Sequence, residues 1–200
     1  MPRLVESPLC TLRYCFGTAI GALYSVPPFQ LKRFPLAAGL TIATCRGFLL
    51  NFGVYYATRE ALGLGFRWSA PVAFLARFMT VYAAVIAVTK DLGDIEGDRR
   101  GGIDTFASRF GPKAVATGAS AVLALNYASA IATALLSLPG TFRRSVMVGG
   151  HALAAAWLLR STRKLSAAGG DGEPSKTSIK AYYKQIWNLF YFEYAMYPFI

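Results

Sequence analysis

Long apolar stretches separated by short, turn-rich connections dominate the chain. Several of them approach the roughly 20 residues that an α-helix needs to cross the hydrocarbon core of a bilayer. Only helices and closed barrels satisfy every backbone polar group within lipid, so the pattern predicts an all-α fold, a polytopic transmembrane helix bundle. The six predicted spans cover residues 9–25, 35–58, 70–89, 112–138, 143–159 and 181–200, of which the first and fifth are marginal on their own.

Composition and charge agree with membrane insertion. Apolar residues make up 54% of the chain and charged residues only 16%, while the net charge is +11. If the chain crosses the membrane six times, thirteen of its 21 Lys and Arg residues fall on one side and five on the other. This is the asymmetry of the positive-inside rule, so we expect the richer side to face the cytoplasm, stroma or matrix. The basic residues form no stripe of the kind that binds nucleic acid, which excludes that partner.

A few ionisable residues lie inside the apolar stretches, where a charge is costly unless it is paired or faces a cavity. Arg46 is near the middle of its stretch and is either a cavity-facing functional residue or half of a structural ion pair, whereas Arg13 and Arg77 lie closer to span ends. Glu193 lies within the last stretch, and we expect it to pair across the bundle with Arg46 or Arg13. His151, the only histidine, is interpreted as structural.

An acidic cluster follows the third span directly. Half of the ten acidic residues fall between Asp91 and Asp104. Asp91, Asp94 and Asp98 are spaced i, i+3, i+7, so one helix would place them within about 60° of each other on one face. Glu96 would point elsewhere. The spacing predicts three converging carboxylates at the membrane edge.

Carboxylates this close repel one another unless a cation lies between them. Mg²⁺ suits such a cluster because it binds one or two carboxylates and bridges them to phosphate oxygens. Lys90, Arg99 and Arg100, with Lys32 and Arg33 on the same predicted side, are placed to bind the remaining phosphate charge. The cluster therefore indicates a Mg²⁺-diphosphate site, the alternative being a solvated, salt-bridged loop beside a span.

The segment Lys90 to Gly111, KDLGDIEGDRRGGIDTFASRFG, resembles the second aspartate-rich region of the UbiA-type intramembrane aromatic prenyltransferases. YSVPPFQLKRFPLAAG from Tyr24, RGFLLNFGVYYATREALGL from Arg46, WSAPVAF from Trp68 and YYKQIWNLFYFEYAMYPFI from Tyr182 carry the likeness over nearly the whole chain. Within the family it looks closest to the plastid homogentisate prenyltransferases, and among these to the homogentisate solanesyltransferase branch.

The resemblance implies a reaction and roles for individual residues. A solanesyl group would pass from its diphosphate to homogentisate with loss of carbon dioxide, in plastoquinone biosynthesis, and Mg²⁺ would be the cofactor. Asp91, Asp94 and Asp98 would be the catalytic metal ligands. The substrate-binding candidates, for the polyprenyl diphosphate and homogentisate, are Tyr24, Lys32, Arg33, Arg46, Asn51, Lys90 and Arg99. Asn51 has an alternative role in hydrogen bonding between helices.

One departure from the family pattern concerns the first aspartate-rich region, NxxxDxxxD, which nothing here matches. The resemblance implies nine membrane helices, and the six predicted here align with the fourth to the ninth. We therefore expect residues 1–200 to be a single but partial prenyltransferase domain in a plastid membrane, with the Asp-rich loop facing the stroma. The alternatives are a homogentisate phytyl or geranylgeranyl transferase of tocopherol biosynthesis, or an inactive fragment or lipid-binding membrane protein.

Overall fold

The computed structural model describes residues 8–102, 104–169 and 172–200, and these form helices and connections without a strand. The all-α prediction is confirmed, and each of the six predicted apolar stretches is helical. The α-helices are α1 Pro8–Ser25, α2 Pro35–Ala43, α3 Leu50–Ala61, α4 Ala70–Thr89, α5 Ile95–Arg100, α6 Phe106–Phe110, α7 Pro112–Leu136, α8 Arg144–Gly169 and α9 Lys176–Met196. Short 3-10 helices cover Leu31–Arg33, Lys90–Gly93 and Tyr197–Phe199, and a π-helix, Thr44–Leu49, joins α2 to α3.

Three helical segments of the described chain are long and apolar enough to cross a membrane. They are Pro35–Ala61, Ala70–Gly93 and Pro112–Leu136, which correspond to the second, third and fourth predicted spans. The remaining stretches form α1, α8 and α9, whose membrane crossing stays a prediction.

The chain divides into two compact units, Met1–Ala83 and Ala84–Ile200, with the boundary inside α4. In the first unit, the helix that runs through α2, the π-helix and α3 comes very close to α4. A Cβ atom on Gly47 would overlap the backbone of Thr80, so only glycine permits this approach. Small residues at such crossings are typical of helices that pack within membranes.

The second unit is built on α7, α8 and α9, which follow one another through short connections. Its centre consists of side chains with no exposed surface, among them Leu123, Met147, Leu158 and Ile186. A buried polar network also joins the three helices: Ser120 Oγ lies 2.8 Å from Tyr182 Oη and accepts a hydrogen bond from Thr162 Oγ1 at 2.7 Å. Tyr182 Oη donates to the Ala116 carbonyl at 3.0 Å.

The partner of Glu193 differs from the one expected. Its Oε2 lies 3.3 Å from Nε2 of His151, and both side chains are buried. The Nδ1 of His151 lies 2.5 Å from the Met147 carbonyl oxygen, and its ring lies against Tyr127. Glu193 does have a partner on another helix, but that partner is His151 and not Arg46. The side chain of Arg13, the other expected partner, lies outside the described part of the chain. A buried carboxylate needs such a partner because burial without one costs several kcal/mol.

Candidate functional site

The Asp-rich loop begins where α4 ends, and its backbone is not the single helix that the spacing predicted. A 3-10 turn covers Lys90–Gly93, the backbone leaves helical geometry at Asp94 (φ −134°, ψ 35°), and α5 runs over Ile95–Arg100. Gly93 lowers helix propensity, and an Asp at the start of a helix is favoured over one inside it. The expectation of one continuous helix face bearing all three aspartates is therefore wrong.

Asp94 is separated from the other two aspartates by this break. Its exposed side chain folds back over Gly97, three residues later, and a Cβ atom on Gly97 would overlap the Asp94 carboxylate. Glycine at position 97 therefore allows this carboxylate to lie against α5.

Asp91 and Asp98 still interact electrostatically. Each is partly buried, and their carboxylates are near enough to repel each other, while Lys90 Nζ approaches Asp91 Oδ1 at 3.9 Å. Oδ2 of Asp98 is buried and has no hydrogen-bond partner among the described residues. An orphaned carboxylate oxygen beside a second carboxylate leaves a negative site that needs a cation.

Two carboxylates are enough for Mg²⁺ when waters and substrate phosphates complete its coordination. No group of three His, Cys, Asp or Glu side chains in the described chain is arranged to hold a metal ion. Mg²⁺ does not require such a cage, because it retains waters and takes one or two carboxylates together with substrate phosphates. Asp91 and Asp98 are the two carboxylates that could hold such an ion, whereas Asp94 lines a cavity beside α9.

The rest of the loop is held by its own hydrogen bonds. Thr105 and Ser108 form a capping box at the start of α6, and Nη2 of Arg99 donates to the Ser108 carbonyl at 3.0 Å. Arg109 pairs with Asp104 at 2.7 Å, both side chains being exposed. Arg99 thus links α5 to α6 and keeps its guanidinium at the loop surface.

A cavity of about 310 Å³ with both polar and apolar lining residues lies between the loop and the start of α9. Asp94, Glu96 and Arg99 line it from the loop, and Glu173 and Lys176 from the α8–α9 connection and α9. Lys176 Nζ donates to Glu96 Oε2 at 2.9 Å, so the loop is tied to α9 across 80 positions of sequence.

The contact changes the protonation of both partners. The hydrogen bond and positive charge of Lys176 hold the pKa of Glu96 below its usual value, and Glu96 in turn raises the pKa of Lys176. Both groups are therefore charged over a wide pH range. Sequence reasoning treated Glu96 as pointing away and did not single out Lys176 or Glu173. The sequence indicated a contact between Lys176 or Glu173 and the Asp-rich loop only indirectly, because the α8–α9 connection and that loop fall on the same predicted side of the membrane.

The remaining substrate-binding candidates lie in the first unit. Lys32 and Arg33 are exposed on the 3-10 turn Leu31–Arg33, and Tyr24 lies near the end of α1. Arg46 lies on the π-helix and is exposed, while the side-chain amide of Asn51 donates to the Gly47 carbonyl at 2.6 Å. Such π-helical turns occur frequently at functional sites.

Comparisons with known proteins show the family of the chain. The model of the UbiA prenyltransferase family matches residues 4–184. The chain is 53% identical over 193 residues to the probable homogentisate phytyltransferase 2, chloroplastic, of Oryza sativa subsp. japonica, covering 96% of this chain and 50% of that protein. It is 52% identical over 177 residues to the chloroplastic homogentisate solanesyltransferase of Arabidopsis thaliana, covering 88% and 45%.

A third relative, the chloroplastic 2-acylphloroglucinol 4-prenyltransferase of Humulus lupulus, is 40% identical over 198 residues, which is 99% of this chain and 47% of the relative. The chain thus spans about half the length of the curated relatives it matches. No solved structure matches it. With the family model covering most of its length, the chain belongs to the UbiA prenyltransferase family.

Proposed function

We propose that this chain binds the prenyl diphosphate in a Mg²⁺-dependent homogentisate prenyltransferase reaction, with Asp91 and Asp98 at the centre of the site. The observation that carries the proposal is the buried, unpartnered Oδ2 of Asp98 next to the Asp91 carboxylate, at the end of an apolar helix. Relatives named as homogentisate prenyltransferases support the reaction class.

Each loop residue has a task in binding. Asp91 and Asp98 would hold Mg²⁺, which when bound supplies positive charge to the departing diphosphate. Lys90 and Arg99 are exposed on the same loop and bind the outer phosphate oxygens, Arg99 in the orientation that its bond to Ser108 fixes. Asp94 faces the cavity beside α9 and acts at the edge of the site, so its removal costs less than that of Asp91 or Asp98.

The neighbouring apolar helix protects the reaction. An allylic cation is captured by water unless the site is dry. Asp91 lies near the end of the segment Ala70–Gly93, which is long and apolar enough to cross a membrane. The prenyl chain would therefore lie in an apolar environment while its diphosphate stays at the polar edge.

Solanesyl diphosphate is the donor we propose, with homogentisate as the acceptor. The stretch from Asn51 to Leu64 and the C-terminal residues from Tyr182 support this choice, since they resemble the solanesyl branch. Plastid membrane localisation is supported by the chloroplastic names of the relatives. The excess of basic residues on the side of the Asp-rich loop supports a stromal position for that loop.

A chimera tests donor and reaction together. This chain replaces the matching half of the Arabidopsis relative, and membranes containing the chimera receive homogentisate, Mg²⁺ and either solanesyl, phytyl or geranylgeranyl diphosphate. We expect decarboxylated, prenylated product, with turnover highest for the solanesyl donor. Preference for the phytyl donor would contradict the donor assignment, and absence of product with every donor would contradict the reaction.

Carboxylate variants of the chimera test the site. Asp91→Asn and Asp98→Asn should each lower kcat about 100-fold or more, because each removes a ligand of the ion that stabilises the leaving group. Asp104→Asn is the matched control, since it removes an exposed acid from the same loop that pairs only with Arg109 in the described structure. Equal losses in all three variants would show that the loop's overall charge, and not the Asp91–Asp98 pair, is what matters.

A further inference from the structure

The joined ends of α8 and α9 carry basic residues that the prenyltransferase site does not use. Five of them are exposed and form no salt bridge within the described residues; they are Arg160, Arg163 and Lys164 on α8, and Lys180 and Lys184 on α9. Lys176, by contrast, is paired with Glu96. We call these five residues the α8–α9 basic end. Such a concentration of unpaired positive charge calls for an anionic partner.

A groove of about 260 Å³ runs between the two helices at this end. Each helix contributes one stripe of residues at i, i+3, i+4 and i+7, the spacing of a single helix face. The stripes are Trp157, Arg160, Ser161 and Lys164 on α8, and Ser178, Ala181, Tyr182 and Gln185 on α9. The groove therefore combines two cations with hydroxyl and amide groups and two aromatic side chains.

A second, open depression of about 500 Å³ adjoins the groove and is lined by α8 alone. It shares Arg160 and Lys164 with the groove and adds Arg163 at its polar end and Ala156 and Leu159 at its apolar end. Leu159 is 45% exposed and Trp157 37% exposed. Basic groups thus stand at one end of this surface and apolar groups at the other.

If α8 crosses the membrane, as the sequence predicts for residues 143–159, these basic residues lie where the helix would leave the bilayer. The part of α8 before Arg160 spans roughly 24 Å, somewhat less than the roughly 30 Å of a hydrocarbon core. The long side chains of Arg160 and Lys164 would then extend over the remaining distance to the headgroups, and Trp157 would lie one turn deeper, where aromatic rings concentrate at membrane interfaces.

We propose that the α8–α9 basic end binds the anionic headgroup of a membrane lipid, with Arg160 and Lys164 on the headgroup and the acyl chains along Trp157 and Leu159. Basic pockets between helices on the positive side of a membrane bind such headgroups. The open apolar end favours a lipid over a soluble anion, because a free phosphate has nothing to place there. The site lies apart from Asp91 and Asp98 and does not depend on the proposed reaction.

Fluorescence quenching of Trp157 tests the assignment. In a Trp68→Phe/Trp187→Phe background, Trp157 is the remaining tryptophan of the three in the chain. The protein is reconstituted in phosphatidylcholine vesicles containing a small fraction of either spin-labelled phosphatidylglycerol or spin-labelled phosphatidylcholine, with the label on the upper acyl chain. We expect the anionic lipid to associate about five-fold or more strongly, and the preference to vanish in Arg160→Gln/Lys164→Gln.

Two control variants distinguish lipid binding at this site from non-specific attraction of anionic lipid to the protein's positive charge, and from misfolding of the Gln variant. Arg143→Gln/Arg144→Gln removes two charges from the opposite end of α8 and should keep the preference. Arg160→Lys/Lys164→Arg keeps both positive charges and should therefore keep the preference for the anionic lipid. Circular dichroism of the Arg160→Gln/Lys164→Gln variant shows whether its fold is intact. Equal quenching by the two lipids, loss of the preference in either control, or its displacement by millimolar pyrophosphate would each overturn the proposal.

Discussion

At the residue scale, Gly97 decides where the Asp94 carboxylate lies. A methyl group there would overlap that carboxylate, and the short Asp side chain has to rotate away to make room. We predict that Gly97→Ala leaves the fold intact, since Ala favours the helix over Gly by up to about 1 kcal/mol. In the chimera, Gly97→Ala should lower kcat/KM for the diphosphate by about three- to ten-fold. A tenfold loss corresponds to about 1.4 kcal/mol. Unchanged kinetics together with an unchanged melting temperature would contradict a role for the position of Asp94.

The His151–Glu193 pair gives a second prediction at this scale. Either partner alone would be an uncompensated buried polar group, whereas removing both leaves an apolar contact. We expect His151→Leu to destabilise the protein by roughly 3 kcal/mol, and His151→Leu/Glu193→Leu to recover a large part of that loss. Thermal unfolding in detergent measures both. Additive losses in the double variant would show that the two side chains do not act as a pair.

At the scale of elements, the Lys176–Glu96 contact ties the Asp-rich loop to α9, and its pH dependence follows from the two pKa shifts. Glu96 has a lowered pKa when folded, so its contribution is present above the usual value of 4.5 and is lost as the pH falls through the folded pKa. Lys176 has a raised pKa, so its contribution is present below 10.5 and is lost as the pH rises through the folded pKa. The loop should therefore be held to α9 between these limits.

Hydrogen exchange of the backbone amides in α5 measures this tether. At neutral pH, Glu96→Gln should exchange faster than the unmodified chain, and the two should converge as the pH falls well below 4.5. Because both side chains are exposed, the expected effect on overall stability is small. A difference between the two proteins that persists unchanged at low pH would contradict the assignment to the Glu96 charge.

The crossing of the π-helix region with α4 gives a further prediction for elements. Gly47→Val should separate the two helices, because any Cβ atom overlaps the Thr80 backbone, which cannot rotate away as a side chain can. Overpacking of this kind costs about 1–3 kcal/mol, with more where backbone must move. Gly53→Val is the matched control, since nothing lies within 4 Å of a Cβ atom there. A comparable loss of thermal stability in both variants would attribute the effect to helix propensity alone.

At the scale of the whole molecule, the sequence predicts the helices well and the site less completely. Apolar length alone located the six long helical segments of the described chain, because burial in lipid and burial in a protein core both require long runs of apolar residues. The Asp-rich loop was located correctly, but its three aspartates do not share one helix face: Gly93 and Asp94 break the helix, and local propensity around two glycines is a weak guide. Lys176 and the Glu193 partner His151 are contacts between distant segments, and nothing in local spacing identifies them.

The central claim is that Asp91 and Asp98 together hold a metal-bound diphosphate. The most direct measurement is binding of solanesyl diphosphate to the chain in lipid nanodiscs, with Mg²⁺ or with excess EDTA. We predict binding in Mg²⁺, its loss in EDTA and in Asp91→Asn/Asp98→Asn, and its retention in Asp104→Asn. Binding that is equally strong without metal, or in the Asp91→Asn/Asp98→Asn protein, would contradict the account.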